Sequence, residues 1–466
     1  MNNFTLSGLY KIVILVGFGF VLHSCNEFKS SDYTTYFGGE IINPKSEWVL
    51  LYKDNQLIDS IPLDEKNRFF VKYDSLAQGL YAFHHEPEFQ YVYFDKNDSL
   101  MLRLNTHDFD ESLVFCGRGE EKNNFLIEMY LLNKKDKAQM NQTFDLSVEE
   151  FLQVADSSYQ QALAFYEKEK NKLEWSADFE LYAKAAADFH YYSKRESYPI
   201  AHPKRNPQDS LFSVSDEYYD FRNDIALNNE KLAHFVPYVR YLTSRIDNLT
   251  YTKNSELTKD AEALKKLTFL DSLIENPFLK SRIANHIVFF YLVNENNLSD
   301  DNKILEKYHQ ITTDSISKAR IERLAESIKN MASGNKLPEI SLTDNQNRTV
   351  SSNELFNSKT VVFFWSKKSE QHCFSIHKKV NALAQQYTNI KFVAINLDED
   401  FPERREFLSK NGLQTPQVKQ YQIADSKELY SKWTTPRFSQ TLIVDQDGII
   451  INAFANIFET DFEKNL

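Results

Sequence analysis

Apolar and polar positions alternate in three successive styles along the chain, and each style predicts a different architecture. From about Tyr36 to Gly117, short aromatic and branched runs recur between polar turns. Glu47–Tyr52, Leu57–Leu63, Arg68–Tyr73 and Phe89–Phe94 are strand candidates, and Leu100, Leu102 and Leu104 alternate with Met101 and Arg103. Regular short strands with polar turns predict an antiparallel sandwich or barrel. Phe115-Cys116-Gly117-Arg118-Gly119 is its expected boundary.

From about Glu120 to Met331 the period becomes helical. Phe151, Leu152, Ala155, Tyr159, Ala162, Leu163 and Tyr166 fall on one face, as do Ile321, Leu324, Ile328 and Met331. Pro237 and Pro277 are expected to start or kink helices, and Gly334 to follow the last one as its C′ residue. No fixed period of repeats emerges, and no catalytic constellation stands out in this region.

From Lys336 the pattern is α/β. Glu339–Leu342 and Arg348–Val350 flank a polar turn. Thr360–Trp365 is a strand apolar from Val361 onward, as a buried central strand requires. A helix follows with Ile376, Val380, Leu383, Ala384 and Tyr387 on one face, then a strand at Ile390–Asn396 and a helix from Phe401 to Asn411. Ser439–Val444 and Ile449–Ala455 form a hairpin around Asp445-Gln446-Asp447-Gly448. The expected fold is therefore multidomain: an antiparallel β domain at 36–118, an α-helical domain at 119–335 and an α/β domain at 336–466.

Composition adds little except at the N-terminus. The chain has 466 residues, 42% hydrophobic and 26% charged, with only 11 glycines and 12 prolines, so long disordered linkers are not expected. The net charge of −12 and the lack of a long basic run exclude nucleic acid as an expected partner. Lys11 precedes an apolar run from Ile12 to Leu22, too short to span a bilayer comfortably but suited to a signal peptide. Leu22-His23-Ser24-Cys25 resembles the lipobox of bacterial lipoproteins. That resemblance implies cleavage after residue 24, lipid on the Cys25 sulfur and a short tether at 25–35. The membrane, reached through this N-terminal lipid, is the first expected partner. The expected location is the cell envelope, on the periplasmic side, with the lipid in the outer membrane.

Strand, helix, strand, helix, hairpin and closing helix is the order of a thioredoxin core. Residues 336–466 resemble the TlpA type of thioredoxin-like thiol–disulfide oxidoreductases, through Pro338–Val350, Phe363-Phe364-Trp365 and Ile443-Val444-Asp445-Gln446-Asp447-Gly448. The whole layout is similar to exported lipoproteins of Bacteroidetes-type bacteria. The resemblance implies two thiols, Cys-x-x-Cys, at the N-terminus of the first core helix, where the helix end stabilises a thiolate. Counting from Trp365 puts them at Ser369 and His372. Aligning on the apolar helix face puts them at Glu370 and Cys373. Neither register holds a pair. The family's cis-proline also departs, since Ser439 stands near its place and Pro436 comes three residues early.

Only Cys25, Cys116 and Cys373 are present. Cys373 is the one catalytic candidate: a thiol beside His372 near a helix start. It also lies on the apolar stripe of Ile376 and Val380, and a buried, inert thiol is the preferred expectation. Cys373 and His377 share a helix face, but two ligands do not make a metal site, and His84-His85-Glu86 is expected in a loop. Neither a metal nor any other cofactor is expected. The expected function is a membrane-anchored periplasmic lipoprotein, not an enzyme, whose redox-silent thioredoxin-like domain binds or scaffolds. Its groove beside Trp365 and the degenerate loop Ser369, Glu370, His372 and Cys373 would hold a peptide or protein partner. The alternative is a thiol–disulfide oxidoreductase or peroxide-reacting enzyme using Cys373 alone.

Overall fold

The computed structural model describes residues 34–466 apart from 174, 210, 252–256, 295–297, 299–301, 399–400, 434–439 and 460–461. The expected signal peptide 1–24, Cys25 and most of the tether lie outside the described residues, as do Pro436 and Ser439. The chain divides into two compact units. The first runs up to Asp224 and includes His234–Ser244; the second holds Ile225–Ala233 and Arg245–Leu466.

The first unit opens with eight strands: β1 (Thr35–Ile42), β2 (Trp48–Lys53), β3 (Gln56–Pro62), β4 (Arg68–Tyr73), β5 (Gly79–His85), β6 (Glu88–Phe94), β7 (Ser99–Asn105) and β8 (Val114–Arg118). They form two four-stranded sheets, ordered β4-β1-β7-β8 and β3-β2-β5-β6. Inward residues from both sheets, among them Phe37, Val49, Phe83 and Leu102, share one core, which makes the pair a sandwich. Phe37 meets Phe69 and Phe94 edge-on at 5.2 and 5.4 Å, geometry worth about 0.5–1.5 kcal/mol per pair beyond area. Every ladder is antiparallel except β1–β7. That pair runs close, because a side chain at Gly39 would collide with the Leu102 carbonyl. Phe115 to Arg118 lie in β8, the last strand of the sandwich, paired with β7. His84 and His85 end β5 rather than lying in a loop. His85 is buried and bonds the Trp48 carbonyl at 3.1 Å.

The short helix α1 (Phe109–Ser112) lies between β7 and β8, and after β8 helices take over: α2 (Glu120–Ala138), α3 (Met140–Phe144), α4 (Val148–Lys172), α5 (Ala177–Arg205) and α6 (Val236–Thr250), of which the part up to Ser244 belongs to this unit. A capping box between Ser147 and Glu150 starts α4. Its face packs on α5, with Phe151 stacked on Tyr198 at 3.8 Å and Tyr159 on Tyr191 at 4.2 Å.

In the second unit, α7 (Lys259–Leu273), α8 (Pro277–Leu292), α9 (Lys303–Ile311) and α10 (Ser315–Asn330) precede a seven-stranded sheet. Pro277 opens α8 as expected, behind the Asn276 cap. Gly334 lies beyond the C-cap, Met331, with φ of 90°, and its N–H donates to the Ile450 carbonyl at 2.8 Å. It is thus a turn residue of the junction rather than the helix C′.

The sheet consists of β9 (Ser341–Thr343), β10 (Thr349–Ser351), β11 (Thr360–Trp365), β12 (Lys391–Asn396), β13 (Val418–Ile423), β14 (Gln440–Val444) and β15 (Ile450–Asn456), ordered β10-β9-β13-β12-β11-β14-β15. Its helices are α11 (Glu370–Gln386), α12 (Arg404–Lys410) and α13 (Ser426–Lys432). Central β11 is buried on both faces. Val361, Phe363 and Trp365 pack with Cys373, Ile376 and Val380 of α11. Val362 and Phe364 pack on the other face with Leu429 and Trp433, and Met331 belongs to that same cluster. The multidomain class expected from the sequence is the observed one: β sheets first, helices next, an α/β sheet last.

Candidate functional site

The site to test is the turn between β11 and α11. Trp365 and Asn396 are register partners in the parallel β11–β12 ladder, so the residues just past both strand ends meet. Asp398 closes the junction. Its carboxylate accepts from Ser366 Oγ at 2.6 Å, from the Lys367 N–H at 2.8 Å and from Asn396 Nδ2 at 3.1 Å. Ser366 Oγ in turn accepts from the Lys368 N–H at 3.1 Å. The turn Lys367–Ser369 is thereby fixed, and the Lys367 ammonium sits over the Phe401 ring at 5.0 Å. Sequence inspection missed Ser366, Asn396 and Asp398. Only strand register brings them together.

Ser369 is the N-cap of α11, although its side chain makes no capping bond, and Glu370 is the first helical residue. The register counted from Trp365 therefore places Ser369 and His372 across the helix's opening turn, with no thiol at either position. His372 is half-buried and meets the Phe458 ring at 6.2 Å. Glu370 is exposed, and Phe374 is 39% exposed.

Cys373 points the other way. It is fully buried in the α11 face of the sheet. Burial pushes its thiol up to about 12, and the negative charges of Asp398 and Glu370 push in the same direction. Its Sγ lies 3.7 Å from His377 Nδ1. That nitrogen donates to the Cys373 carbonyl at 2.8 Å, so it already carries a proton and cannot take one from the thiol. Burial holds the imidazole down at about 4. Thiol and imidazole are thus both neutral near pH 7, the reverse of an activated pair. His377 also packs edge-on against Trp365 at 5.3 Å. Trp365 itself is fully buried and cannot line a groove, which corrects the expectation placed on it.

The other described cysteine, Cys116, is exposed on β8 in the first unit, and both thiols are free. Among the described residues no group of three or more His, Cys, Asp or Glu gathers as a metal site. No described helix is long and apolar enough to cross a membrane.

Residues 333–453 match the family model described as AhpC/TSA. This part of the chain is a thioredoxin-like domain. Solved structures similar to the chain include the thioredoxin domain of a thiol–disulfide oxidoreductase from Bacteroides vulgatus, at 18% identity over 26% of this chain and 86% of that one, with a TM-score of 0.22. A thiol:disulfide interchange protein from a Bacteroides species aligns at 16% identity over 26% of this chain and 80% of that one, with a TM-score of 0.21. No curated protein matches the chain. Within the thioredoxin-like domain, the N-terminus of α11 carries the exposed carboxylate of Glu370 and the half-buried Ser369 and His372, whose ring nitrogens are turned inward, and its single thiol lies beneath them.

Proposed function

We propose that this protein is a lipid-anchored envelope protein whose thioredoxin-like domain binds a peptide or protein partner without thiol chemistry. One observation carries the second half: the domain's single cysteine, Cys373, is fully buried and its thiol is pushed up to about 12. A dithiol reductase turns over because a second thiol, in reach of the first, resolves the mixed disulfide. Ser369 and His372 occupy the two places where that chemistry would begin. The surface left for a partner is the exposed start of α11 with Phe374 and Phe458, which are 39% and 44% exposed. The support for anchoring is the apolar run Ile12–Leu22 followed by Leu22-His23-Ser24-Cys25. Two or three acyl chains, at about 0.8 kcal/mol per buried methylene, hold a protein firmly on a membrane.

Two measurements test the two halves. Insulin reduction by dithiothreitol, with and without added glutathione, should proceed no faster with the purified chain than without it. Turnover that disappears in Cys373→Ser would establish the monothiol enzyme instead. For the anchor, Cys25→Ser should abolish fatty-acid labelling and membrane fractionation, and a variant still labelled would exclude this lipid site.

A further inference from the structure

The first unit contains a cavity of about 440 Å³ that plays no part in the proposal above. It is bounded by the start of β6, one face of α2, the middle of α5 and the first turn of α6. Its size is that of ordinary small-molecule sites. The walls are aromatic: Phe89, Tyr91, Tyr130, Phe189 and Phe235 all line it.

These walls are fixed. The Val236 N–H donates to Tyr91 Oη at 2.9 Å, which pins the entry of α6 to β6. Phe235 packs against Tyr91 at 5.2 Å and Tyr182 at 5.7 Å, and Phe189 against Tyr238 at 5.0 Å. Such a cavity need not be assembled by its ligand, which lowers the ordering cost of binding.

The charges are arranged unevenly. Asp110 is already satisfied, accepting from the buried Gln90 amide at 2.7 Å and from Lys134 at 2.9 Å. His190 is held by Asp136 at 2.6 Å. Lys137 and Arg240 also line the cavity, and neither pairs with a carboxylate among the described residues. Lys134 is committed to Asp110 and to Glu111, the latter at 2.8 Å, so the uncommitted charges on the lining are Lys137 and Arg240 against the carboxylate of Glu88. In a chain of net charge −12, an aromatic cavity with surplus cations is a local reversal.

We propose that this cavity binds a small carboxylate with an aromatic or branched apolar body. The rings take the body, and Arg240 and Lys137 take the head group. Arg240 is suited to this because a guanidinium grips a carboxylate with two parallel N–H bonds.

The test uses the purified chain and two probes of one shape, 4-phenylbutyrate and its uncharged analogue 4-phenylbutanol, by calorimetry and ligand-observed NMR. The acid should bind saturably, about tenfold or more tighter than the alcohol. Arg240→Gln should remove most of that difference and leave alcohol binding unchanged, and Lys137→Gln should act in the same direction. Both side chains are exposed, so the fold should tolerate either change. No saturable binding of the acid at millimolar concentration would overturn the proposal. So would equal binding of acid and alcohol, or an acid affinity indifferent to both substitutions.

Discussion

His377 donates its Nδ1 proton to the carbonyl of Cys373, one turn earlier on α11, at 2.8 Å. The same ring nitrogen lies 3.7 Å from the Cys373 sulfur. A histidine beside a cysteine suggests a thiolate–imidazolium pair, but here the backbone bond consumes the nitrogen that would serve as the base. The lone pair is left on Nε2, which is buried without a hydrogen-bond partner.

Thiol labelling follows directly. In native chain at pH 8, iodoacetamide should modify exposed Cys116 and spare Cys373 until denaturant is added. Peptide mass spectrometry resolves the two sites. Equal labelling rates would mean that Cys373 is reachable and would reopen the monothiol mechanism.

His377 should also leave a pH signature. Its folded form is held at about 4, against 6.5 for a free imidazole. Between those values the unfolded chain takes a proton that the folded chain refuses, so stability falls as pH drops from 6.5 to 4. The shift corresponds to about 3 kcal/mol. Urea unfolding of His377→Gln should therefore show a shallower acid loss than the parent, by that order. Parallel acid limbs would show that His377 titrates normally.

The Asp398 junction is a stability element. Asp398→Ala removes a carboxylate that holds a buried hydroxyl and a backbone N–H, at an expected cost of about 1–3 kcal/mol. Amide exchange at Lys367 and Lys368 should quicken more than exchange in β11. A variant as stable and as protected as the parent would mean that the turn holds itself.

Met331, at the C-cap of α10, is fully exposed to the sheet core rather than to water, being 0% accessible. Met331→Ala should cost about 2–5 kcal/mol. By the same reasoning, a fragment 315–466 should resist urea better than 336–466. Identical midpoints would show that α10 contributes nothing to that core.

Much of this was legible in the sequence because pattern and burial coincide. The strand Thr360–Trp365 is legible with both of its ends, since the five consecutive apolar residues Val361–Trp365 are buried on two faces. The α11 stripe through Cys373, Ile376 and Val380 was equally plain. By contrast β13, Val-Lys-Gln-Tyr-Gln-Ile, hid behind its polar residues, although Gln420 is buried beside β12. The strands β1 and β5 were not picked out individually. At the site, the missing thiol pair was visible at once, but Asp398 was not, because its role depends on which strand ends are neighbours.

The parallel pairing of β1 with β7 has a consequence for the order in which the chain is made. β1 is the first described strand, yet it sits inside its sheet, between β4 and β7. Hairpins elsewhere in the sandwich close with neighbours in sequence, but β1 must wait for a strand that begins only at Ser99. Contacts so distant in sequence form late, after the entropy of closing a long loop has been met. During synthesis, then, β1 can pair with β4 early but gains its second neighbour only after Asn105 has emerged, so this sheet stays unfinished while the β2–β3 hairpin is already complete.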